Sequence, residues 1–147
     1  MTQTVRYQKL DERAVEPHYG SAAAAGADLY AVLDAPVTLD SGETRLVGTG
    51  LAVEIPEGFV GLVCARSGLA TKRGLAPANK VGVIDADYRG EILVALHNHG
   101  TSPQTVEHGE RIAQLVLVPY LTAEFAAADT LTDTARGGGG FGSTGTK

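Results

Sequence analysis

The feature that most constrains this chain is its punctuation. Short apolar runs recur along it, and each meets a turn signal. "ADLYAVL" ends at Asp34-Ala35-Pro36, "PVTL" meets "DSGE", "TRLVGTGLAVEI" stops at "PEG", and "FVGLVCA" leads into "RSG". "KVGVI" meets "DADYRG", "EILVALHN" stops at "HGTSP", and "RIAQLVLVPY" follows "HGE". Runs of this spacing, rich in Val and Leu, predict an all-β sandwich or barrel. "DSGE" reads as a hairpin turn. Ser21–Ala25 is alanine-rich, but Gly20 and Gly26 flank it, which favours a loop. Only "SGLATKRGLAP", Ser67 to Pro77, reads as a helix, with Ser67 to cap it, Gly74 to end it and Pro77 to block continuation.

The 147 residues are one domain's length, enough to bury roughly 70% of the unfolded surface without staples. Cys64 is the sole cysteine, so no internal disulfide framework exists and a reducing, cytoplasmic setting is expected. No apolar run resembles a signal peptide or a membrane span. A formal net charge of −5 argues against non-specific nucleic-acid binding, yet leaves room for a small anion held by local geometry. The division expected is a β-domain over 1–135 followed by a glycine-rich arm over 136–147. Thr122 to Thr134 reads as an edge strand leading into that arm.

Five stretches carry residues suited to chemistry, and each also has a plainer structural reading. In "AGADLYA" (Ala25–Ala31), Asp28 either serves Mg²⁺, directly or through water, or caps a strand start. In "ARSGLA" (Ala65–Ala70), Arg66 and Ser67 stand where a strand gives way to a helix, a place for phosphate or for an ordinary helix cap. "GVIDADYRG" (Gly82–Gly90) offers Asp85 as a general base, or simply an Asp-rich turn. In "GERIAQLV" (Gly109–Val116), one or both of Arg111 and Gln114 reach phosphate, or Gln114 sits on the wet side of a strand. The last stretch, "RGGGGFGSTG" (Arg136–Gly145), has six glycines among ten residues. Ordering so much glycine is costly, and Arg136, Phe141, Ser143 and Thr144 are useful only if a ligand holds them. Zinc is disfavoured, because Cys64, His97 and His99 lack a recognised ligand spacing. His18 and His108 read as loop residues, and Lys72 and Arg73 as a solvated helix face. No P-loop signature is present.

Taken together, in order, the five stretches resemble the motifs of the trimeric dUTPase family and span Ala25 to Gly145. The resemblance implies a distorted jelly-roll (β-clip) barrel with one short helix, assembled as a homotrimer whose active sites draw on all three subunits. It implies hydrolysis of dUTP to dUMP and pyrophosphate with Mg²⁺, which keeps uracil out of DNA and supplies dUMP for dTMP synthesis. Asp85 then corresponds to the carboxylate that activates water, and Asp28 to the acid that anchors Mg²⁺ through water. Arg66, Ser67, Gly68 and Gln114 correspond to phosphate contacts. Asn79 and the backbone of Gly82, Val83 and Ile84 correspond to the uracil-reading edge, with Tyr88 packed on the deoxyribose. Phe141 corresponds to a lid on uracil, and Arg136, Gly142, Ser143 and Thr144 to γ-phosphate contacts of the closing arm. Gly138 stands where many relatives carry a larger residue. A dCTP deaminase on the same fold would use a glutamate and generally lack the arm. A non-catalytic nucleotide-binding trimer would need a lesion at Asp85, Arg66 or Asp28.

Overall fold

The computed structural model describes residues 2–141. Among these, the strands in chain order are β1 (Arg6–Lys9), β2 (His18–Tyr19), β3 (Gly26–Tyr30), β4 (Val37–Leu39), β5 (Thr44–Glu54) and β6 (Phe59–Cys64). A single helix, α1 (Ser67–Arg73), precedes β7 (Leu75–Pro77), β8 (Val81–Ile84), β9 (Glu91–Asn98), β10 (Gln104–Val106) and β11 (Arg111–Pro119). Every pairing is antiparallel. One sheet has the order β1-β5-β9-β7, a second the order β2-β3-β11-β6-β8, and β10 with β4 forms a third.

The apolar runs became strands because alternate residues bury. In β9, Ile92, Val94, Leu96 and Asn98 point inward while Leu93 is exposed. Their side chains join Leu29, Leu39, Val47, Val53, Val63, Leu75 and Ile112 in one core between the sheets. Each fully buried aliphatic side chain contributes about 1.5–3 kcal/mol.

Apart from the β2–β3 pair, consecutive strands are joined between sheets, and "DSGE" does not close the hairpin expected of it. Glu43 N–H donates to the Asp40 carbonyl at 3.0 Å, so the turn is real. Its flanking strands nevertheless part, β4 to β10 and β5 to β9. The chain therefore crosses between layers after almost every strand, which is the jelly-roll habit. Ser21–Ala25 is a loop, as read from sequence. His18, expected in a loop, lies in β2 opposite Asp28.

The helix begins one residue earlier than a Ser67 cap would place it. Arg66 occupies the N-cap in an extended conformation, and Ser67 is the first helical residue. Gly74 ends the helix at φ 66°, where a Cβ would stand 2.8 Å from the Gly100 nitrogen, so any larger residue is excluded twice over. Leu75–Pro77 then pairs with β9 and does not prolong the helix. Arg73, expected in solvent, ion-pairs with Glu110 at 2.7 Å and also donates to Gln104 and the Thr105 carbonyl. It fastens α1 to β10. In a second clamp Arg13 joins Asp11 and Asp34, and its guanidinium lowers the Asp11 carboxyl to about 2.

No strand forms over Thr122–Thr134. Both edges of β11 are already taken by β3 and β6, and the described chain beyond it pairs with none of the strands. Tyr120 N–H makes a last bond to the Gly58 carbonyl, after which Leu121, Phe125 and Leu131 are almost wholly exposed.

Asn98 is the polar keystone of the core. Fully buried, it donates to the carbonyls of Leu39 and Ser102 and accepts from Gly100 N–H at 3.0 Å. Asn98→Ala strands three backbone groups, each costing about 1–3 kcal/mol when unsatisfied. Urea unfolding is expected to show a loss of at least about 3 kcal/mol; a loss below about 1 kcal/mol would mean water replaces the amide.

Candidate active site

The register of the β3–β11–β6 ladder sets the chemistry. Gln114 on β11 lies opposite Asp28 of β3 on one side and Cys64 of β6 on the other. Two residues past Cys64 comes Arg66. Three motifs far apart in sequence are thus brought side by side by ordinary strand pairing.

They line one pocket of about 300 Å³, formed by Gly26, Asp28, Arg66, Ser67, Gly68, Arg111 and Gln114 together with Gly20 and Ala24. Asp28 is nearly buried, with only 12% of its side chain exposed, and holds two guanidiniums. Its Oδ1 accepts from Arg66 Nε at 2.7 Å and its Oδ2 from Arg111 Nη1 at 3.2 Å. Gln114 Nε2 donates to the Ala65 carbonyl at 2.8 Å, tying the strand end to the start of the helix. Two guanidiniums against one carboxylate leave an excess of positive charge, and planar forks of this kind match phosphate oxygens.

A second pocket, of about 250 Å³, lies elsewhere and shares no lining residue with the first. It is lined by Asn79, Gly82, Val83, Ile84, Asp85 and Tyr88, among others. Here β8 is the outermost strand of its sheet, paired with β6 on one side only. An edge strand leaves a row of backbone N–H and C=O groups free. The turn that follows β8 is held by Tyr88 N–H on the Asp85 carbonyl, and by Arg89 on the carbonyls of Ala86 and Tyr88. Asp85 stands exposed at its start, and among the described residues its carboxylate has no hydrogen-bond or ion-pair partner. The Tyr88 hydroxyl donates to the Glu91 carbonyl at 2.9 Å. The ring lies so close over Gly90 that a Cβ there would collide with the phenol.

The described part of the arm, residues 136–141, lines neither pocket of its own chain. Arg136 Nε donates back to the Gly139 carbonyl at 2.9 Å, and Phe141 is fully exposed. Gly142, Ser143 and Thr144 lie outside the described residues. The anticipated site residues therefore fall into three groups within one subunit: a cationic pocket, a pocket along a sheet edge, and the arm. Among the described residues no cluster of three or more His, Cys, Asp or Glu could hold a metal, and His97 is instead bonded to Thr44. Among the described residues no helix is long and apolar enough to cross a membrane. Arg111, whose role the sequence left open, shares the cationic pocket.

The fold and site define an antiparallel jelly-roll protein with a cationic pocket assembled from separate motifs. A family model described as dUTPase matches residues 12–145. The chain is 53% identical over 142 residues to the deoxyuridine 5'-triphosphate nucleotidohydrolase of Desulfitobacterium hafniense, covering 96% of this chain and 94% of that one. It is 51% identical to that of Anaeromyxobacter sp. over 148 residues, covering 99% of both. In three dimensions it is similar to the dUTPase of Staphylococcus bacteriophage 80alpha solved with dUPNHPP, with a TM-score of 0.91, 31% identity and coverage of 99% and 100%. This chain belongs to the dUTPase family.

Gly90→Ala tests the close packing of Tyr88. The crystal structure of that variant is expected to show the phenol displaced from the Glu91 carbonyl, with stability lowered by about 1 kcal/mol for the lost bond. A phenol that stays in place would contradict the packing argument.

Proposed function

We propose how this member of the dUTPase family carries out its hydrolysis of dUTP to dUMP and pyrophosphate. The observation that carries the reading is the convergence of Asp28, Arg66–Gly68 and Gln114 on one cationic pocket. The triphosphate lies there, on the Arg66 guanidinium, Ser67, Gly68 and Gln114.

The base lies along β8. Free backbone groups of Gly82, Val83 and Ile84, with the Asn79 amide beside them, pair with the carbonyls and N–H of uracil. Cytosine presents an amino group where uracil has a carbonyl, so donor meets donor, and a site built on hydrogen bonds rejects such a mismatch strongly. Thymine's methyl would clash with the close backbone. Tyr88, pinned by its hydroxyl, packs on the deoxyribose and leaves no room for a 2′-hydroxyl.

Asp85 is the general base. Its exposed, unpaired carboxylate takes a proton from water as the water oxygen bonds to the α-phosphorus. The bond from that phosphorus to the bridging oxygen breaks, and pyrophosphate leaves with the electron pair. The donor set fits Mg²⁺ arriving with the nucleotide and not a resident ion. Both Asp28 oxygens already accept from guanidiniums, so Asp28 would hold the ion through water. When bound, Mg²⁺ would supply charge neutralisation for the phosphates.

The three separate groups are completed between subunits of a homotrimer. The arm of residues 136–147 closes over a neighbour's nucleotide, with Phe141 stacked on uracil and Arg136, Gly142, Ser143 and Thr144 at the γ-phosphate. Base stacking on an aromatic ring contributes ~1–3 kcal/mol, which helps offset the ordering of the glycines.

Pyrophosphate release on adding dUTP, without ammonia release from dCTP, is the direct assay. In that assay Asp85→Asn is expected to lose at least about 100-fold in turnover while still binding a non-hydrolysable dUTP analogue. Normal turnover would remove Asp85 as the base. Mixing Asp85→Asn subunits with subunits truncated before Arg136 is expected to restore part of the activity, because some mixed sites are intact. No recovery after verified subunit exchange would contradict shared sites.

A further inference from the structure

We infer that Arg89 is a positioning residue for the proposed hydrolysis: it fixes the β8–β9 turn that presents Asp85 and Tyr88, and Glu54 of β5 aims it. The inference rests on the proposed reading of Asp85 and Tyr88 and extends it to side chains outside both nucleotide pockets.

The turn joins β8, an edge strand, to β9 in another sheet. Tyr88 N–H closes it on the Asp85 carbonyl at 3.1 Å. One nitrogen then gathers two further carbonyls: Arg89 Nη1 donates to Ala86 at 2.7 Å and to Tyr88 at 2.9 Å. Bonds from a charged donor are stronger than those between neutral groups. Yet Arg89 does not enter the pocket that the turn serves. Asp85 and Tyr88 line the cavity along β8. Arg89 lines another, of about 330 Å³, with Arg6, Tyr7 and Glu54, and the two cavities share no lining residue. Its influence on a bound nucleotide therefore passes through the backbone.

The anchor of Arg89 is on β5. Its Nη2 lies 3.8 Å from Glu54 Oε1. The β1–β5 register sets Arg6 opposite Glu54, and Arg6 Nη2 donates to the same carboxylate at 2.7 Å. Exposed pairs of this kind add little stability; their value here is direction. With Nη2 drawn toward Glu54, Nη1 of the same planar group turns to the two carbonyls. A second tie runs beside the first. The Glu91 carbonyl accepts from the Tyr88 hydroxyl, and Glu91 Oε1 accepts from Gly50 N–H at 2.8 Å, where the pairing of β5 with β9 is irregular. The turn is thus fastened to β5 twice, through Arg89 and through Glu91. Small displacements matter at such a place, because a shift of about 1 Å in a positioned group can cost roughly 100-fold in rate.

The test is the ratio of kcat/KM for dUTP to that for UTP, from pyrophosphate release by the full-length protein in Mg²⁺. A smaller folded fraction scales both values alike, so a merely structural role would leave the ratio unmoved. Without Arg89 the turn relaxes, and Tyr88 drifts from where it excludes the 2′-hydroxyl. Arg89→Ala is expected to lower the ratio about 10-fold, with kcat for dUTP falling as Asp85 shifts. Arg89→Gln, which keeps most of the stem, is expected to move it the same way and serves where the alanine variant melts early. Glu54→Gln is expected to lower the ratio about threefold, and to add nothing once Arg89 is already Ala. A ratio within twofold of the parent for the folded Arg89 variant would overturn the inference and leave the dUTP reading intact. So would a Glu54→Gln effect that persists undiminished in the double variant, since Glu54 would then act without Arg89. A parent that does not prefer dUTP to UTP would overturn the underlying reading of Tyr88 instead.

Discussion

Everything functional in this fold depends on the pairing of β11 between β3 and β6. That register sets Gln114 between Asp28 and Cys64. A slip of one residue would turn each inward side chain of β11 outward. Ile112 and Leu115 would leave the core, so the same apolar burial that stabilises the sheet also fixes the pocket. Packing and chemistry are specified by one set of hydrogen bonds.

The consequence is electrostatic. Arg66 and Arg111 would repel if brought together alone, and Asp28 would be costly to bury alone. Each makes the other tolerable, and the small excess of positive charge that remains suits a polyanion. The pocket along β8 uses a different device. An edge strand, normally a liability, leaves backbone groups unpaired, and the proposed reading assigns them to a pyrimidine. Tyr88 closes one side because Gly90 lets its ring lie close and the Glu91 carbonyl holds its hydroxyl.

Much of this was legible in the chain itself. The long runs became β3, β5, β6, β8, β9 and β11, because Val and Leu with turn residues between them leave few alternatives. The pieces that escaped were short. β1, β2, β7 and β10 have two to four residues each, too few for alternation to register. The partner of each strand was also hidden, since "DSGE" announces a turn but not which layer the chain enters next. Arg73 read as solvated because its partners, Glu110 and Gln104, lie more than thirty residues away. An edge strand was expected over Thr122–Thr134, but that stretch pairs with none of the strands. The motifs pointed to the site residues, while the separation of those residues into two pockets and an arm needed three dimensions.

The central claim is that those separated groups meet around one nucleotide only in the assembled protein. A crystal structure of the full-length protein with Mg²⁺ and a non-hydrolysable dUTP analogue tests it most directly. The account predicts uracil against Gly82–Ile84 of one subunit, with its phosphates on Arg66 and Gln114 of another. A nucleotide held entirely within a single subunit, or phosphates remote from both side chains, would contradict it.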